Sequence, residues 1–573
     1  MNYLSEPEHA AEPLAAGNPR RSSFAWLLNA LPVVWLLVWF AGLGIRPLGE
    51  PDEGRYAEVA REMFATGDWI TPRLDGFNFF DKPVLHYWAT GFFYTLFGVH
   101  EWTARLWVSL TGLLTVVASG WAAERLYGKR TGWIAAAVLG STLLFFAGAQ
   151  ISTMDMSVAA FLSVAIALFM VAQFDPRAEP YRVRLNLLGW ASLALALLSK
   201  GLIGLVLPAI ALLVFMCWER KADILRRMTV GWGMLAVVAI SAPWFVAICM
   251  RHPDFFDYFF IREHFGRFLT GADDRAKPVW FFLGIALLGL FPWVACLPFS
   301  PAGWRKLCAA GRSERFLVCW IVVVLVFFSA SRSKLPFYIL PIFPGLAILV
   351  ARRMSMLTDR ELVWRFLSIA IMAIAMAAVA WLYPADTRHL SRHTDLHPVL
   401  VWFALGLCAL AGVSVLSTVV LARWRQRLVA LLLLGLGTLC VWQLLFANVG
   451  EVASELSAKP VARLMLPQMR DDTEIFTVHA YLRGLSFYLQ RWVTVVDEDP
   501  PDIVPGSLSR PDGFLPSISA FEARWSAASS AVALVDPHLF PRLREDGLPM
   551  QVVGSTPSGI VIRRPTPEGT VVR

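Results

Sequence analysis

Asp52 and Glu53 open a hydrophilic stretch, P-D-E-G-R-Y-A-E-V-A-R-E-M-F, that starts at Pro51 just beyond a long apolar segment. Asp155, in S-T-M-D-M-S, begins a later apolar segment, and Lys200-Gly201 interrupts another. Asp81 and Lys82 form a charge pair inside an aromatic run from Phe77 to Trp88. Further on, I-R-E-H-F-G-R-F gathers Arg262, Glu263, His264 and Arg267, and S-R-S-K-L-P-F-Y-I-L-P holds Arg332, Lys334 and Tyr338. A positioned carboxylate can move a proton, and cations in a water-poor cleft stabilise an anionic leaving group. Each residue also has a structural account. Asp52, Glu53 and Asp155 suit helix N-termini, and Lys200 suits a snorkelling position. Asp81-Lys82 suits a surface ion pair, and one His beside one Glu falls short of the three or four ligands of a dedicated metal site. Together they describe a site for an anionic substrate under one rim of the protein.

The elements that must hold these groups are membrane spans. The chain has 573 residues, 57% hydrophobic and 16% charged, with a mean hydropathy of +0.56. Such a composition excludes an ordinary soluble protein and predicts a polytopic α-helical membrane protein. Thirteen apolar segments are predicted to span, centred near residues 34, 112, 140, 163, 191, 208, 239, 288, 323, 344, 373, 409 and 438. The polar tail 1–23 precedes an apolar run, Phe24 to Gly44, that reads as an uncleaved signal anchor. Basic clusters such as Arg125, Lys129 and Arg130, or Arg220, Lys221, Arg226 and Arg227, fall in the loops on the side of the N-terminus. The formal net charge of +8 is thus explained by the positive-inside rule and implies no nucleic-acid partner.

On this count the residues named above cluster at the opposite, outer ends of the spans. Tyr56, Val59, Ala60, Met63 and Phe64 recur at helical spacing, with Arg55, Glu58, Arg61 and Glu62 between them, which predicts an amphipathic helix lying in the membrane interface. The seven cysteines show no CxxC pair and support neither a disulfide framework nor a cysteine metal site. The expected divisions are a cytoplasmic tail 1–23, a transmembrane domain 24–448 with outer loops 46–99 and 250–278, and an outer α/β domain 449–573. Strands of that last domain are predicted at Glu474 to Val478, Trp492 to Val496, Val532 to Val535 and Gly559 to Arg563. Pro500 to Ser519 reads as a loop without a catalytic motif.

Seven motifs in chain order, P-D-E-G-R-Y-A-E, D-W-I-T-P-R-L-D-G, F-D-K-P-V-L-H-Y-W, F-G-V-H-E-W-T-A-R-L, S-K-G, R-E-H-F-G-R-F and S-K-L-P-F-Y-I-L-P, resemble the bacterial aminoarabinose transferase family. These are GT-C membrane glycosyltransferases related to protein O-mannosyltransferases. The resemblance runs from about residue 46 to 345 and implies a GT-C fold with an external C-terminal domain. It also implies transfer of an aminosugar, 4-amino-4-deoxy-L-arabinose or another, from undecaprenyl phosphate to a lipid A phosphate on the periplasmic face of the inner membrane, by a monomer. In the family pattern Asp52 and Asp155, with Glu53 beside them, match the acids of the reaction centre. Lys82, Lys200, Arg267 and Tyr338 match or neighbour the contacts to the donor phosphate, and Asp81 and His264 match the position of a divalent metal ion. Family members commonly carry Glu where this chain has Asp81, one methylene shorter.

Two other readings keep many spans and buried charges. A transporter of a lipid-linked sugar would show internal repeats and charges near the bilayer midplane, whereas here no repeat is visible and the charges sit at outer ends. A glycosyltransferase of the same fold acting on a protein or another glycan would need a general base for a hydroxyl acceptor, a task open to Asp52. The loop charges give a first prediction. Reporter fusions at Glu451 and Arg425 are expected outside and inside respectively, and a cytoplasmic signal at Glu451 overturns the span count.

Overall fold

The computed structural model describes residues 25–266, 277–298, 311–383, 396–498 and 509–565, with a few single positions between them. Among the described residues seven helices are long and apolar enough to cross a membrane, from Glu101–Tyr127 to Arg427–Asn448. Lys129–Gly140 and Leu143–Gln150 are long and apolar enough only together and are bent by 64° at the break, as in a broken span or a re-entrant loop. Each of the thirteen expected centres falls on a helix, the other five being Ala25–Phe40, Arg182–Lys200, Ile203–Glu219, Phe281–Gly289 and Ile342–Met356. The nine residues of Phe281–Gly289 rise roughly 14 Å against a hydrocarbon core of about 30 Å. The chain continues there through a 3₁₀ turn, Trp293–Cys296, whose Trp293 and Cys296 are fully buried. Non-helical backbone is tolerated at such depth where protein covers it.

Four fully buried tryptophans fill the centre of the bundle, and each indole N–H has an acceptor. Trp39 donates to the Ser109 carbonyl at 3.1 Å, Trp293 to Ser141 Oγ at 2.9 Å, Trp320 to the Pro341 carbonyl and Trp442 to the Ser141 carbonyl, both at 2.8 Å. A buried N–H without a partner is expensive in a bilayer, so these bonds fix ring orientation as well as packing.

The segment between the first two spans carries helix α1 (Asp52–Thr66) and a hairpin of β1 (Arg73–Leu74) and β2 (Phe77–Asn78). Asp52 and Glu53 occupy the first turn of α1, where carboxylates complement the helix dipole. Gly67, at φ 69°, ends it with an N–H to the Met63 carbonyl. The hairpin turns on Asp75-Gly76, both at positive φ, as a two-residue turn requires. The amphipathic reading of α1 needs correction on one face: Glu58, Arg61 and Glu62 are buried like Tyr56, Val59 and Met63. Arg61 binds both oxygens of Glu58, at 2.7 and 2.6 Å, and Gly76 N–H donates to Glu62 at 3.1 Å. Burial, and the Glu58 carboxylate next to it, push Glu62 well above the usual carboxylate range.

That polar face is covered because the C-terminal residues dock on it. They form a six-stranded sheet in the order β5-β4-β3-β6-β8-β7. Its strands are β3 (Glu474–Val478), β4 (Thr494–Val496), β5 (Phe514–Leu515), β6 (Ala531–Val535), β7 (Gln551–Thr556) and β8 (Gly559–Arg563). β3 to β6 pair parallel, and β7 and β8 add antiparallel. The four predicted strands are present; β5, only two residues long, and β7, a largely polar edge strand, lack an apolar run in the sequence. Buried Asp75 joins hairpin to sheet, accepting from Tyr481 Oη at 2.7 Å, Val493 N–H at 3.2 Å and Ser486 Oγ.

Glu53 fastens α1 to the bundle. Arg105, buried in helix α2 (Glu101–Tyr127), donates from Nε and Nη2 to its two oxygens at 2.7 and 2.9 Å. Ser152 N–H (2.9 Å) and Gly49 N–H (3.0 Å) fill the other two acceptor positions. Burial alone would raise the Glu53 pKa, but the Arg105 guanidinium, with Arg46 at 3.8 Å and the Ser152 N–H, holds it down at about 2. Removing one partner of a buried pair costs about 3–5 kcal/mol. Glu53→Gln should therefore lower the thermal midpoint and membrane abundance sharply. A folded-state pKa below the unfolded 4.5 also means that this stabilisation is complete above about 4.5 and is lost as pH falls toward about 2. Melting curves of Glu53→Gln should lack that share of the acid dependence, and parallel curves for the two proteins overturn the assignment.

Candidate active site

Asp155 lies in the first turn of helix α3 (Met154–Phe174) and Lys200 is the last residue of helix α4 (Arg182–Lys200), so two adjacent spans bring their outer ends together. Lys200 Nζ binds Asp155 Oδ1 in an ion pair whose side chains are only 17% and 14% exposed. The same ammonium stands 4.3 Å from the ring centroid of Tyr338, in a 3₁₀ turn (Pro336–Ile339) beyond the span Arg312–Ala330. Tyr338 in turn packs on Phe328 with ring centroids 5.3 Å apart. The Lys200 ammonium is thus held by both an aromatic face and a carboxylate, an arrangement that presents a positive charge at a fixed point.

Asp52, at the start of α1, pairs with Arg55 one turn later, and its side chain remains 39% exposed. Arg55 also lies over the Tyr56 ring at 5.0 Å and the Phe79 ring at 5.9 Å. The Tyr56 phenol stands within the field of Asp52, Asp155 and Asp81, and Lys200 feels Asp52 as well as Asp155. Burial pushes the Tyr56 phenol up, so it stays protonated and neutral among these charges. Two carboxylate–cation pairs, Asp52 with Arg55 and Asp155 with Lys200, therefore lie near enough for the charges of one to act on the other. A phosphate can take the place of either carboxylate as partner of the cation.

The other expected residues are placed as follows. Asp81 Oδ1 accepts from Tyr258 Oη at 2.7 Å, and Lys82 Nζ donates to the Asp81 carbonyl at 2.9 Å, both in the loop between the hairpin and the helix Leu85–Phe97. His264 falls in a π-helical segment, Asp257–Gly266, but its side chain lies outside the described residues, as does Arg267 altogether. Among the described residues no three His, Cys, Asp or Glu side chains converge on a point that suits a metal ion. Asp81, with one oxygen accepting from Tyr258, brings no second or third ligand with it among the described residues. Glu53 requires a correction: expected among the reacting acids, it has every acceptor position occupied by Arg105, Ser152 and Gly49, and its role is to hold α1 in place.

Several residues of the site had no role assigned from sequence. Arg55 and Tyr56 belong to the same P-D-E-G-R-Y motif, but helical spacing alone could not tell that Arg55 would turn back to Asp52. Arg105 was legible as a charge inside an apolar span, a signal of buried pairing. Below α1, His86 lies between Ser152 Oγ (3.4 Å) and Ser157 Oγ (3.5 Å), and Trp107 also donates to Ser157, at 2.9 Å. A groove of about 880 Å³ opens beside the Tyr338 segment, walled by Val279, Leu283, Leu325 and Val326 with Arg332 and Lys334 at its polar end.

Residues 461–564 match the aminoarabinose transferase C-terminal domain, and residues 81–246 match the dolichyl-phosphate-mannose-protein mannosyltransferase family. Over 339 residues the chain is 38% identical to an undecaprenyl phosphate-alpha-4-amino-4-deoxy-L-arabinose arabinosyl transferase of Sodalis glossinidius. The match takes in 58% of this chain and 59% of that one, so the chain spans less than two thirds of the relative's length. The fold is similar to that of ArnT from Cupriavidus metallidurans bound to undecaprenyl phosphate, with a TM-score of 0.88 and 28% identity over 94% of this chain and 98% of that one. An oligosaccharyltransferase of Archaeoglobus fulgidus shares the fold alone, with a TM-score of 0.52 and 13% identity over 90% of this chain and 70% of that one. With a match to the aminoarabinose transferase C-terminal domain following a mannosyltransferase-type match in one ArnT-like architecture, this chain has a polytopic GT-C-type membrane fold and is similar to the aminoarabinose transferases in both its bundle and its C-terminal sheet.

Proposed function

We propose that this protein transfers 4-amino-4-deoxy-L-arabinose from undecaprenyl phosphate to a phosphate of lipid A at the periplasmic face of a bacterial inner membrane. The observation that carries the reading is the meeting of Asp52–Arg55 with Asp155–Lys200–Tyr338 at the outer helix ends. The relatives' names and the undecaprenyl phosphate bound to the similar ArnT structure support the choice of donor. The tail 1–23 is then cytoplasmic, the bundle 24–448 catalytic, and residues 449–573 a periplasmic domain.

The groove beside Tyr338 suits a prenyl chain on its Val279, Leu283, Leu325 and Val326 wall, with the phosphate toward the cations. Lys200 then exchanges Asp155 for the donor phosphate and stabilises it as a leaving group. The C1–O bond to that phosphate breaks with its electron pair leaving on the phosphate oxygen, and an acceptor phosphate oxygen forms the new bond to C1. Asp52 faces the positive charge that develops at C1 and takes the acceptor's remaining proton where it carries one. Lys82 adds positive charge from the loop after the hairpin, and Arg267, outside the described residues, is assigned the same task from the family pattern alone. The mannosyltransferase match favours a second reading, a protein hydroxyl as acceptor, in which Asp52 is the general base.

Asp52→Asn keeps shape and N-capping ability while removing charge, and its exposed pair with Arg55 is worth little to stability. It should reach the membrane at normal abundance with transfer lowered by about 10²–10⁴-fold. Lys200→Ala should weaken use of the prenyl-phosphate donor. The readout is mass spectrometry of lipid A from a null strain carrying each variant. Full modification by Asp52→Asn at normal abundance removes it from the reaction, and unmodified lipid A with the parent protein points to the hydroxyl acceptor.

A further inference from the structure

The C-terminal sheet domain touches the chain on both sides of Asp52. Two residues before it, Glu50 accepts from Gly484 N–H on Oε1 at 2.7 Å and from Arg483 N–H on Oε2 at 3.1 Å. The Glu50 N–H donates to the Leu456 carbonyl at 2.7 Å, and Leu48 N–H donates to Tyr488 Oη at 2.8 Å. Two residues after Asp52, Gly54 lies face to face with Gly484. A Cβ added to Gly54 would stand 2.7 Å from Gly484 Cα, and one added to Gly484 would stand 2.9 Å from Gly54 Cα and 2.6 Å from Glu50 Oε1. Neither glycine is needed for a positive φ; both are needed because two backbones touch.

These contacts do not resemble a loose tether. A domain that only decorated the bundle would tolerate a methyl group and a water layer at its join. Here the join is backbone on backbone, it uses both oxygens of one carboxylate, and it falls on the five residues centred on the acid proposed to react. The Glu53 anchor fixes α1 from the bundle side, but it leaves the rotation and tilt of the first turn to whatever grips the opposite side. The Arg483-Gly484 turn is what grips it.

We propose that the C-terminal domain is a positioning part of the active site: its Arg483-Gly484 turn, through Glu50 and Gly54, sets the direction of the Asp52 carboxylate. Glu50, Gly54 and Gly484 are thus positioning residues that touch no substrate. The inference rests on the reading of Asp52 as a reacting group. It gives the domain a task in the transfer itself, since a misplacement of about 1 Å can cost about 10²-fold in rate.

The test uses the purified full-length protein in lipid nanodiscs with a prenyl-phosphate aminosugar and lipid A, measuring kcat, KM for the donor and the thermal midpoint. Gly484→Ala wedges the two backbones apart. Glu50→Gln turns one of the two acceptors into a donor facing an N–H and leaves the glycine contact intact, which covers the case in which the wedge prevents folding. Both should lower kcat by about ten-fold or more with KM for the donor within about two-fold, the pattern of a group that acts only in the transition state. Val561→Ala, in the buried core of the same sheet and away from the join, should lower the midpoint and leave kcat as in the parent. Parental kcat in both Gly484→Ala and Glu50→Gln overturns the proposal, as does a fall in kcat for Val561→Ala equal to that of Gly484→Ala at the same midpoint. Asp52→Asn is run alongside. If it is inactive while Glu50→Gln and Gly484→Ala are normal, the positioning idea fails alone; if it turns over normally, the catalytic reading of Asp52 fails and the positioning idea with it.

Discussion

A guanidinium removed from water leaves five N–H donors to satisfy, and Arg105 satisfies all of them where the first span, the outer helix and the second span meet. Two go to Glu53, two to the carbonyls of Leu43 and Arg46, and one to the carbonyl of Pro47. The geometry of everything above the bundle depends on this knot. Without it, the end of the first span would expose unpaired carbonyls, and α1 would have no fixed height over the helix ends that carry Asp155 and Lys200. Such a pair is weak evidence for net stability, since desolvation offsets much of its attraction. Its value here is that it leaves none of the five Arg105 donors unpaired.

From that fixed point the site is built by opposition. One pair, Asp155 with Lys200, belongs to the bundle, and the other, Asp52 with Arg55, belongs to the outer segment. Neither is buried as completely as Glu53 with Arg105, and the difference in burial sorts their functions. A closed pair with every acceptor used holds structure, whereas a partly exposed pair keeps a lone pair and a proton available for a ligand. The same distinction separates neighbours in sequence: Asp52 and Glu53 are adjacent acids, yet a helical step of 100° turns one to the cleft and the other into the protein.

The sheet domain closes the arrangement from outside. By covering the polar face of α1 it buries Glu58, Arg61, Glu62 and Asp75, which would be ordinary surface residues on an interfacial helix. The hairpin on Asp75-Gly76 supplies the surface on which the domain rests. Membrane bundle, outer segment and sheet therefore share one polar core above the apolar one, and the residues proposed to react sit along its edge.

Much of this was legible in the sequence because a bilayer enforces simple rules. Apolar length marked thirteen helical segments, even where Phe281–Gly289 proved too short to cross alone. Asp52, Asp155, Lys200 and Tyr338 stood out as polar groups at outer helix ends. Four strands of the sheet showed in their β-branched runs. What only the tertiary structure decided is which of these charges face one another. Helical periodicity predicts that α1 is amphipathic, but it cannot state what covers the polar face, since that depends on residues 483–510 arriving from the far end of the chain. Nor can spacing distinguish the saturated Glu53 from the open Asp52, because the partners of Glu53 come from positions 49, 105 and 152. Local sequence fixes the face on which a residue lies; its charge state and its task follow from long-range neighbours that desolvate and pair it.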